Sequence, residues 1–196
     1  GYKQLRTQYQ GSNLHTSFAK IFLDGIPTTS RTAAMVEPYI QVEEGAPDNY
    51  GPLHVPTEQL TEALVELDAA DFTVKIHTAG DRSVHAALNA IAVARQRNGN
   101  NGPRHELAHA GFIIAEDIDR FAELNVVADL SPHLWFPSPI VESVRTALGE
   151  RGYQYWPNRD LLDAGAPLLM GSDWPSVAPE RRASPCASIR SAINST

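Results

Sequence analysis

Short apolar runs and amphipathic segments alternate along this chain, and this alternation limits the possible folds more than any other feature. The apolar runs predict five strands, at residues 19–23, 72–77, 105–108, 126–130 and 167–170. The amphipathic segments predict helices at residues 57–70, 81–97, 115–124 and 158–164. No hairpin turn separates the strands, so the pattern indicates an α/β protein with a parallel sheet. A doubly wound sheet and part of an eight-stranded barrel both fit it.

Composition narrows the class of protein. The 196 residues, 42% hydrophobic and 20% charged, predict one globular domain over residues 1–196. The formal charge of −7 disfavours nucleic acid and anionic membranes, which reward clustered Lys and Arg. The single cysteine, Cys186, excludes an internal disulfide and a cysteine-based zinc cluster. It is compatible with a reducing compartment, and we expect a cytoplasmic protein.

Two segments are predicted as loops that shape a binding site. Residues 26–56 contain four prolines and several Gly and Asn, and loops of this length usually have binding or lid roles. Residues 132–139 are rich in proline and aromatic side chains. We expect substrate specificity to reside in these two loops.

A polar residue suited to metal binding or proton transfer lies on or just after each predicted strand. These residues are Lys20, His77, His109, His133 and Asp173. In a parallel barrel they would converge, because the active site lies at the carboxyl ends of the strands. In a doubly wound sheet only those near the reversal of strand order would meet. Imidazoles and carboxylates bind Zn²⁺ well, so the pattern predicts a divalent metal centre, with zinc expected.

Four motifs in this order resemble the amidohydrolase superfamily, in particular the YtcJ-like branch often labelled amidohydrolase family 3. They are Lys-Ile-Phe-Leu-Asp-Gly at 20–25, His-Thr-Ala-Gly-Asp-Arg at 77–82, Arg-His at 104–105 with His-Ala at 109–110, and Gly-Ser-Asp-Trp-Pro at 171–175. The resemblance implies a distorted (β/α)₈ barrel with one or two divalent metals. The five predicted strands match the fourth to eighth of that barrel. We therefore expect the chain to be its C-terminal portion, a partial barrel with the first strands and a small β-domain upstream.

The resemblance also implies roles for individual residues. Lys20 matches a lysine, often carboxylated, that bridges two metals, although it begins its apolar run rather than ending it. His77 and His109 match the ligands of the second metal. Asp173 matches an aspartate that binds the first metal and acts as general acid and base. His105 competes with His109, which is preferred because the family has His-Ala there.

The chain departs from the family pattern at two places. Ala108 stands where the family commonly has a glutamate, and the His-x-His pair of the first barrel strand has no counterpart. Of the other histidines, His133 is expected to contact substrate together with Trp135, and His85, within a predicted helix, is expected to be structural.

The combined prediction is a metal-dependent hydrolase that cleaves carbon–nitrogen bonds in small amides, formamides or cyclic amides. A non-catalytic module with the same fold is the alternative, favoured by Ala108 and the missing pair. A histidine phosphatase, suggested by Arg104-His105-Glu106, requires that triplet near the N-terminus with a glycine following, and neither condition holds. Because parallel edges would be open, self-association through the sheet edge is expected.

Overall fold

A computed structural model describes residues 2–131, 134, 139–171 and 173 of the chain. Its five strands form one parallel sheet in the order β1-β2-β3-β4-β5. The strands are β1 Phe18–Phe22, β2 Thr73–Thr78, β3 Glu106–His109, β4 Val127–Leu130 and β5 Leu168–Met170. A doubly wound sheet reverses its strand order, whereas the wall of a (β/α)₈ barrel is strictly sequential. The α/β prediction is confirmed, and the strand order is that of part of a barrel.

Helices connect the strands. They are α1 Tyr2–Tyr9, α2 Thr57–Ala69, α3 Asp81–Asn98, α4 Ala115–Ile118, α5 Arg120–Glu123, α6 Pro139–Leu148 and α7 Asn158–Asp163, with a 3₁₀ helix at Gly149–Gln154. The helix predicted at residues 115–124 is divided into α4 and α5 at Asp119, whose backbone angles stay helical. In the described part of the chain, none of these helices combines the length and apolarity needed to cross a membrane.

Three helical segments were not predicted from the sequence, namely α1, α6 and the 3₁₀ helix that follows α6. The polar helix α1 is held by tertiary contacts, because Arg6 donates a hydrogen bond to the carbonyl of Ala70 at 2.6 Å and lies over the ring of Phe72. Helix α6 buries Val144, Ala147 and Leu148, which follow the helical spacing of three and four residues. The spacing of these apolar residues could therefore have predicted α6 from the sequence.

The two faces of the sheet differ in chemistry because side chains alternate along each strand. The outer face packs against α2 and α3 and forms the main core, in which Val74, Ile76 and Leu107 are fully buried. Each such burial stabilises the fold by about 1.5–3 kcal/mol. The inner face carries charged residues and three exposed apolar side chains, Phe18, Phe22 and Leu169.

A second apolar cluster covers the carboxyl ends of the strands. The loop of residues 26–56, which contains no helix or strand, contributes Ala33, Met35 and Tyr39. Ala79 after β2, Phe112 after β3 and three residues of α6 complete the cluster. The predicted long loop is thus confirmed, and it packs over the sheet edge at which the candidate residues converge.

Gly80 permits this close packing. A Cβ atom on Gly80 would lie 2.1 Å from the backbone carbonyl oxygen of Ala34. A backbone atom cannot rotate away as a flexible side chain can, so the loop and the start of α3 require glycine at this position.

We predict that Gly80→Ala lowers the free energy of unfolding by about 1–3 kcal/mol or more, the range of overpacking substitutions. Urea denaturation measures this. Gly11→Ala is the matched control, because a Cβ there meets no atom within 4 Å; its effect should stay within about 0.5 kcal/mol. Equal losses in the two variants would contradict the packing argument.

Candidate functional site

Two histidines meet at the carboxyl ends of β2 and β3. The rings of His77 and His109 are T-shaped, with centroids 4.8 Å apart. His77 is 4% exposed, and Phe22 of β1 stacks on its ring at a centroid distance of 4.5 Å. Phe22 and His77 are register partners on adjacent strands, so the stacking follows directly from the pairing of β1 with β2.

The position of the His109 ring depends on an unusual backbone. In the register of β2 and β3, His109 pairs with Thr78, so regular alternation would direct it away from the face that carries His77. Its φ of 73° and the φ of 42° at Ala110 break the alternation. Non-glycine residues in this region cost about 1–3 kcal/mol each, and such strain is concentrated at functional sites. The turn after β3 therefore brings the two imidazoles together.

Asp24, directly after β1, is a buried acceptor for several hydrogen bonds at this edge. Its Oδ2 accepts from the Ala34 N–H at 3.0 Å, the Gly80 N–H at 2.9 Å and the Ser83 hydroxyl at 2.7 Å, and its Oδ1 accepts from the Ala79 N–H at 3.0 Å. Oδ1 also lies 3.0 Å from Nδ1 of His77. From the sequence, Asp24 was predicted only as part of a motif and a turn, and not as a site residue. The available signal was its place directly after a strand, beside a strand that ends in histidine.

Lys20 lies in the middle of β1, two residues before the end of the strand, on the inner face. Partial desolvation and the neighbouring charge of Lys75 lower the pKa of Lys20, and the carboxylates of Asp129, Asp173 and Glu106 oppose that change. Lys20 is therefore close to the acidic residues of the inner face, and its Nζ lies 5.3 Å from the centroid of the Phe22 ring, which stacks on His77.

Lys75, the register partner of Lys20, forms ion pairs with Glu106 at 3.2 Å and closely with Asp129. Burial works to lower the pKa of Lys75, but the hydrogen bonds and charges of Asp129 and Glu106 outweigh it and raise the pKa. Lys75 thus stays charged and neutralises the inner face beneath the histidines.

Asp173, after β5, is exposed and has a φ of 50°. Its carboxylate raises the pKa of Lys20 and of His109, so it lies within electrostatic reach of both. Burial, with smaller effects from His77 and Lys20, nevertheless lowers the pKa of His109 to about 4. His109 is therefore a neutral imidazole at pH 7, the form that binds metals.

The chemistry of the pair fits a divalent metal. His77 has its Nδ1 3.0 Å from Asp24, and His109 has its Nδ1 3.4 Å from the hydroxyl of Ser131. Among the described residues, Nε2 of each ring is left for another ligand. Within the residues that the structure describes, no three His, Cys, Asp or Glu side chains form a cluster that could hold a metal. Ala108 faces His77 in register and adds no carboxylate.

The other predicted residues are placed as follows. Both ring nitrogens of His105 are engaged in the core, because Nδ1 accepts the N–H of Val74 at 3.2 Å and Nε2 lies 3.0 Å from Asp68. His85 of α3 contacts the carboxylate of Asp117 at 3.0 Å. His133 and Trp135 lie outside the described residues.

A sequential parallel sheet with paired histidines at its carboxyl edge is the arrangement expected of a metal-dependent barrel. The model of the amidohydrolase family matches residues 3–189, so the chain belongs to that family and the resemblance is confirmed.

Two curated relatives show the same relationship. LONG AFTER FAR-RED 3 of Arabidopsis thaliana is 32% identical over 183 residues, which cover 92% of this chain and 29% of that protein. YtcJ of Bacillus subtilis (strain 168) is 31% identical over 176 residues, which cover 89% of this chain and 30% of that protein. The chain therefore spans less than a third of the length of these relatives.

Two solved structures share the fold. An uncharacterised metal-dependent hydrolase from Pyrococcus furiosus has a TM-score of 0.72 at 23% identity, with 98% of this chain and 38% of that chain covered. Its counterpart from Pyrococcus horikoshii OT3 has a TM-score of 0.70 at 22% identity, with 89% and 34% covered. These likenesses confirm the fold class, a partial barrel wall.

The buried His105 predicts a pH dependence of stability. Burial and Arg95 lower the pKa of His105, against the effect of Asp68. The unfolded chain, with an ordinary histidine pKa of about 6.5, therefore binds a proton that the folded chain resists. The contribution of the neutral, buried His105 to the free energy of unfolding is fully present above about pH 6.5. It is lost as the pH falls below that value, at no more than about 1.4 kcal/mol per pH unit.

Urea denaturation between about pH 7 and pH 5 should show stability falling with pH in the wild-type chain. His105→Gln should be less stable throughout, with a shallower slope, and His15→Gln, an exposed control, should keep the wild-type slope. An unchanged slope in His105→Gln would refute the assignment.

Proposed function

We propose that this chain is part of a metal-dependent hydrolase that acts on carbon–nitrogen bonds other than peptide bonds, in small amides, formamides or cyclic amides. The observation that carries the proposal is the contact between His77 and His109 at the carboxyl edge of a barrel-type sheet. Membership of the amidohydrolase family supports the hydrolytic reaction. Aligned solved structures that are described as metal-dependent hydrolases support the requirement for metal.

His77 and His109 would hold the metal, with Asp173 and Lys20 as further ligands and zinc as the expected ion. When bound, zinc makes a water molecule nucleophilic near neutral pH. Asp173, exposed at the same edge, would take a proton from that water and transfer it to the leaving nitrogen. The positive charge of Lys75 offsets nearby carboxylates and keeps the inner face close to neutral.

The loop of residues 26–56 would form one wall of the substrate site, because its apolar residues pack over the same strand ends. His133 and Trp135 are proposed substrate contacts on the basis of their position after the fourth predicted strand. The net charge of −7 is better suited to a small molecule than to nucleic acid.

A non-catalytic module with the same fold is the second candidate. Ala108, 3% exposed, occupies the inner-face position next to His77 where a carboxylate would support a ligand. Loss of such a partner weakens metal binding about 10- to 100-fold. Metal binding by the chain itself distinguishes the two candidates.

We predict that the metal-free chain binds at most one zinc ion, weakly, in isothermal titration. His77→Ala and His109→Ala should each weaken binding at least about 10-fold, since removing a ligand costs no less than removing its supporting partner. His85→Ala is the matched control, a histidine that contacts an aspartate but lies on α3 away from the pair. Turnover of a panel of formamides, amides and cyclic amides by the chain alone should be slight.

Two tight zinc sites per chain would contradict this assignment of ligands. An absence of zinc binding would favour the non-catalytic module.

We also propose that the isolated 196-residue chain self-associates through its open sheet. In the described residues β1 pairs only with β2 and β5 only with β4, so each outer strand leaves an edge free. Phe18, 51% exposed, is an apolar side chain of the inner face on the outer strand β1.

Sedimentation velocity should show concentration-dependent oligomers that Phe18→Glu reduces. Leu162→Glu, a similarly exposed leucine on α7, should leave them unchanged. A monomer at all concentrations would exclude the association.

A further inference from the structure

We propose that Asp24 is a positioning residue that holds the His77 ring with its proton on Nδ1 and so keeps Nε2 free for a metal. The consequence for metal binding rests on the proposed function, but the position of the proton can be measured without any metal. It begins from the contact of 3.0 Å between Asp24 Oδ1 and His77 Nδ1.

The neighbours of Asp24 identify which partner donates in that contact. Three backbone N–H groups, those of Ala34, Ala79 and Gly80, point at the carboxylate, and a backbone N–H can only donate. The hydroxyl of Ser83 lies 2.7 Å from Oδ2. A fully buried carboxylate surrounded by donors acts as an acceptor, so the hydrogen in the contact with His77 belongs to the imidazole.

The same contacts fix the carboxylate in space. Ala34 belongs to the long loop, Gly80 to the turn after β2 and Ser83 to the first turn of α3. The imidazole is held on its other side by the stacked ring of Phe22, at an interplanar angle of 16°. Neither ring nor carboxylate can rotate without breaking contacts, so tautomer and orientation are set together.

Two further aspartate–histidine pairs show why the arrangement at His77 is distinctive among the described residues. The pair of Asp68 and His105 leaves neither imidazole nitrogen available, because Nδ1 accepts a backbone N–H. His85, paired with Asp117, has a side chain that is 45% exposed. Of these three aspartate-paired histidines, only His77 combines a held Nδ1 with contact to a second imidazole, that of His109.

The informative variant is Asp24→Asn, which keeps the shape of the side chain. Its carbonyl oxygen can retain the donors at the Oδ2 position, which the Ala79 N–H also reaches at 3.2 Å, and this places the amide NH₂ opposite Nδ1 of His77. An NH₂ group only donates, so Nδ1 must become the acceptor and the proton moves to Nε2. The nitrogen proposed to bind the metal is then blocked.

The first measurement is the ¹⁵N NMR spectrum of the histidine side chains in the metal-free wild-type chain, well above the ordinary histidine pKa of about 6.5. We expect the Nδ1–H tautomer at His77 and the Nε2–H tautomer at His105. An Nε2–H tautomer at His77 overturns the inference, and this result does not depend on any variant folding.

The second measurement is zinc affinity with the matched control Asp117→Asn, which changes an aspartate at the same 3.0 Å from the Nδ1 of a histidine on α3. Asp24→Asn should move the His77 proton to Nε2 and weaken zinc binding about 10- to 100-fold, whereas Asp117→Asn should change neither. Equal affinity in Asp24→Asn and wild type overturns the inference. Failure of the wild-type chain to bind zinc counts against the proposed function instead, while the tautomer still tests the role of Asp24.

Discussion

The hydrogen bonds to the buried carboxylate of Asp24 are the interactions on which the carboxyl edge of the sheet depends. The carboxylate joins the end of β1 to the long loop, to the turn after β2 and to the start of α3 through donors from four residues besides His77. A buried charge without such partners is costly by several kcal/mol, so the fold and the hydrogen bonds must form together. The close approach of Gly80 to Ala34 belongs to the same arrangement, because both residues donate to the same oxygen of Asp24.

A second buried aspartate organises the opposite end of the sheet. Asp68 of α2 binds Arg95 at 2.5 Å and Asn98 at 2.9 Å on α3, and it contacts His105 just before β3. In barrels the amino edge of the strands serves stability and the carboxyl edge serves chemistry. The two aspartates follow that division. Both ring nitrogens of His105, which Asp68 contacts, are hydrogen-bonded, whereas His77, which Asp24 contacts, keeps Nε2 without a hydrogen bond in the described part of the chain.

The sequence predicted the parts of this molecule that follow from periodicity. Apolar runs gave the five strands, and strand ends gave His77 and His109 as neighbours. What it could not show depends on the backbone and on distant contacts. Strict alternation would separate His109 from His77, and only the left-handed turn at His109 and Ala110 unites them. Nothing in the local sequence around Asp24 reveals that its partners come from segments up to 59 residues away.

The arrangement also ranks the candidate ligands. A catalytic zinc site commonly uses three protein ligands and leaves one position open. His77 and His109 are already in contact, and Asp173 influences the pKa of His109 from the same edge. The Cα of Lys20 lies in mid-strand, next to Lys75, but its Nζ extends to 5.3 Å from the centroid of the Phe22 ring that stacks on His77. Its charge helps balance the carboxylates of the inner face. The two histidines and Asp173 therefore supply the three ligands of the proposed centre, with Lys20 beside them as a further candidate.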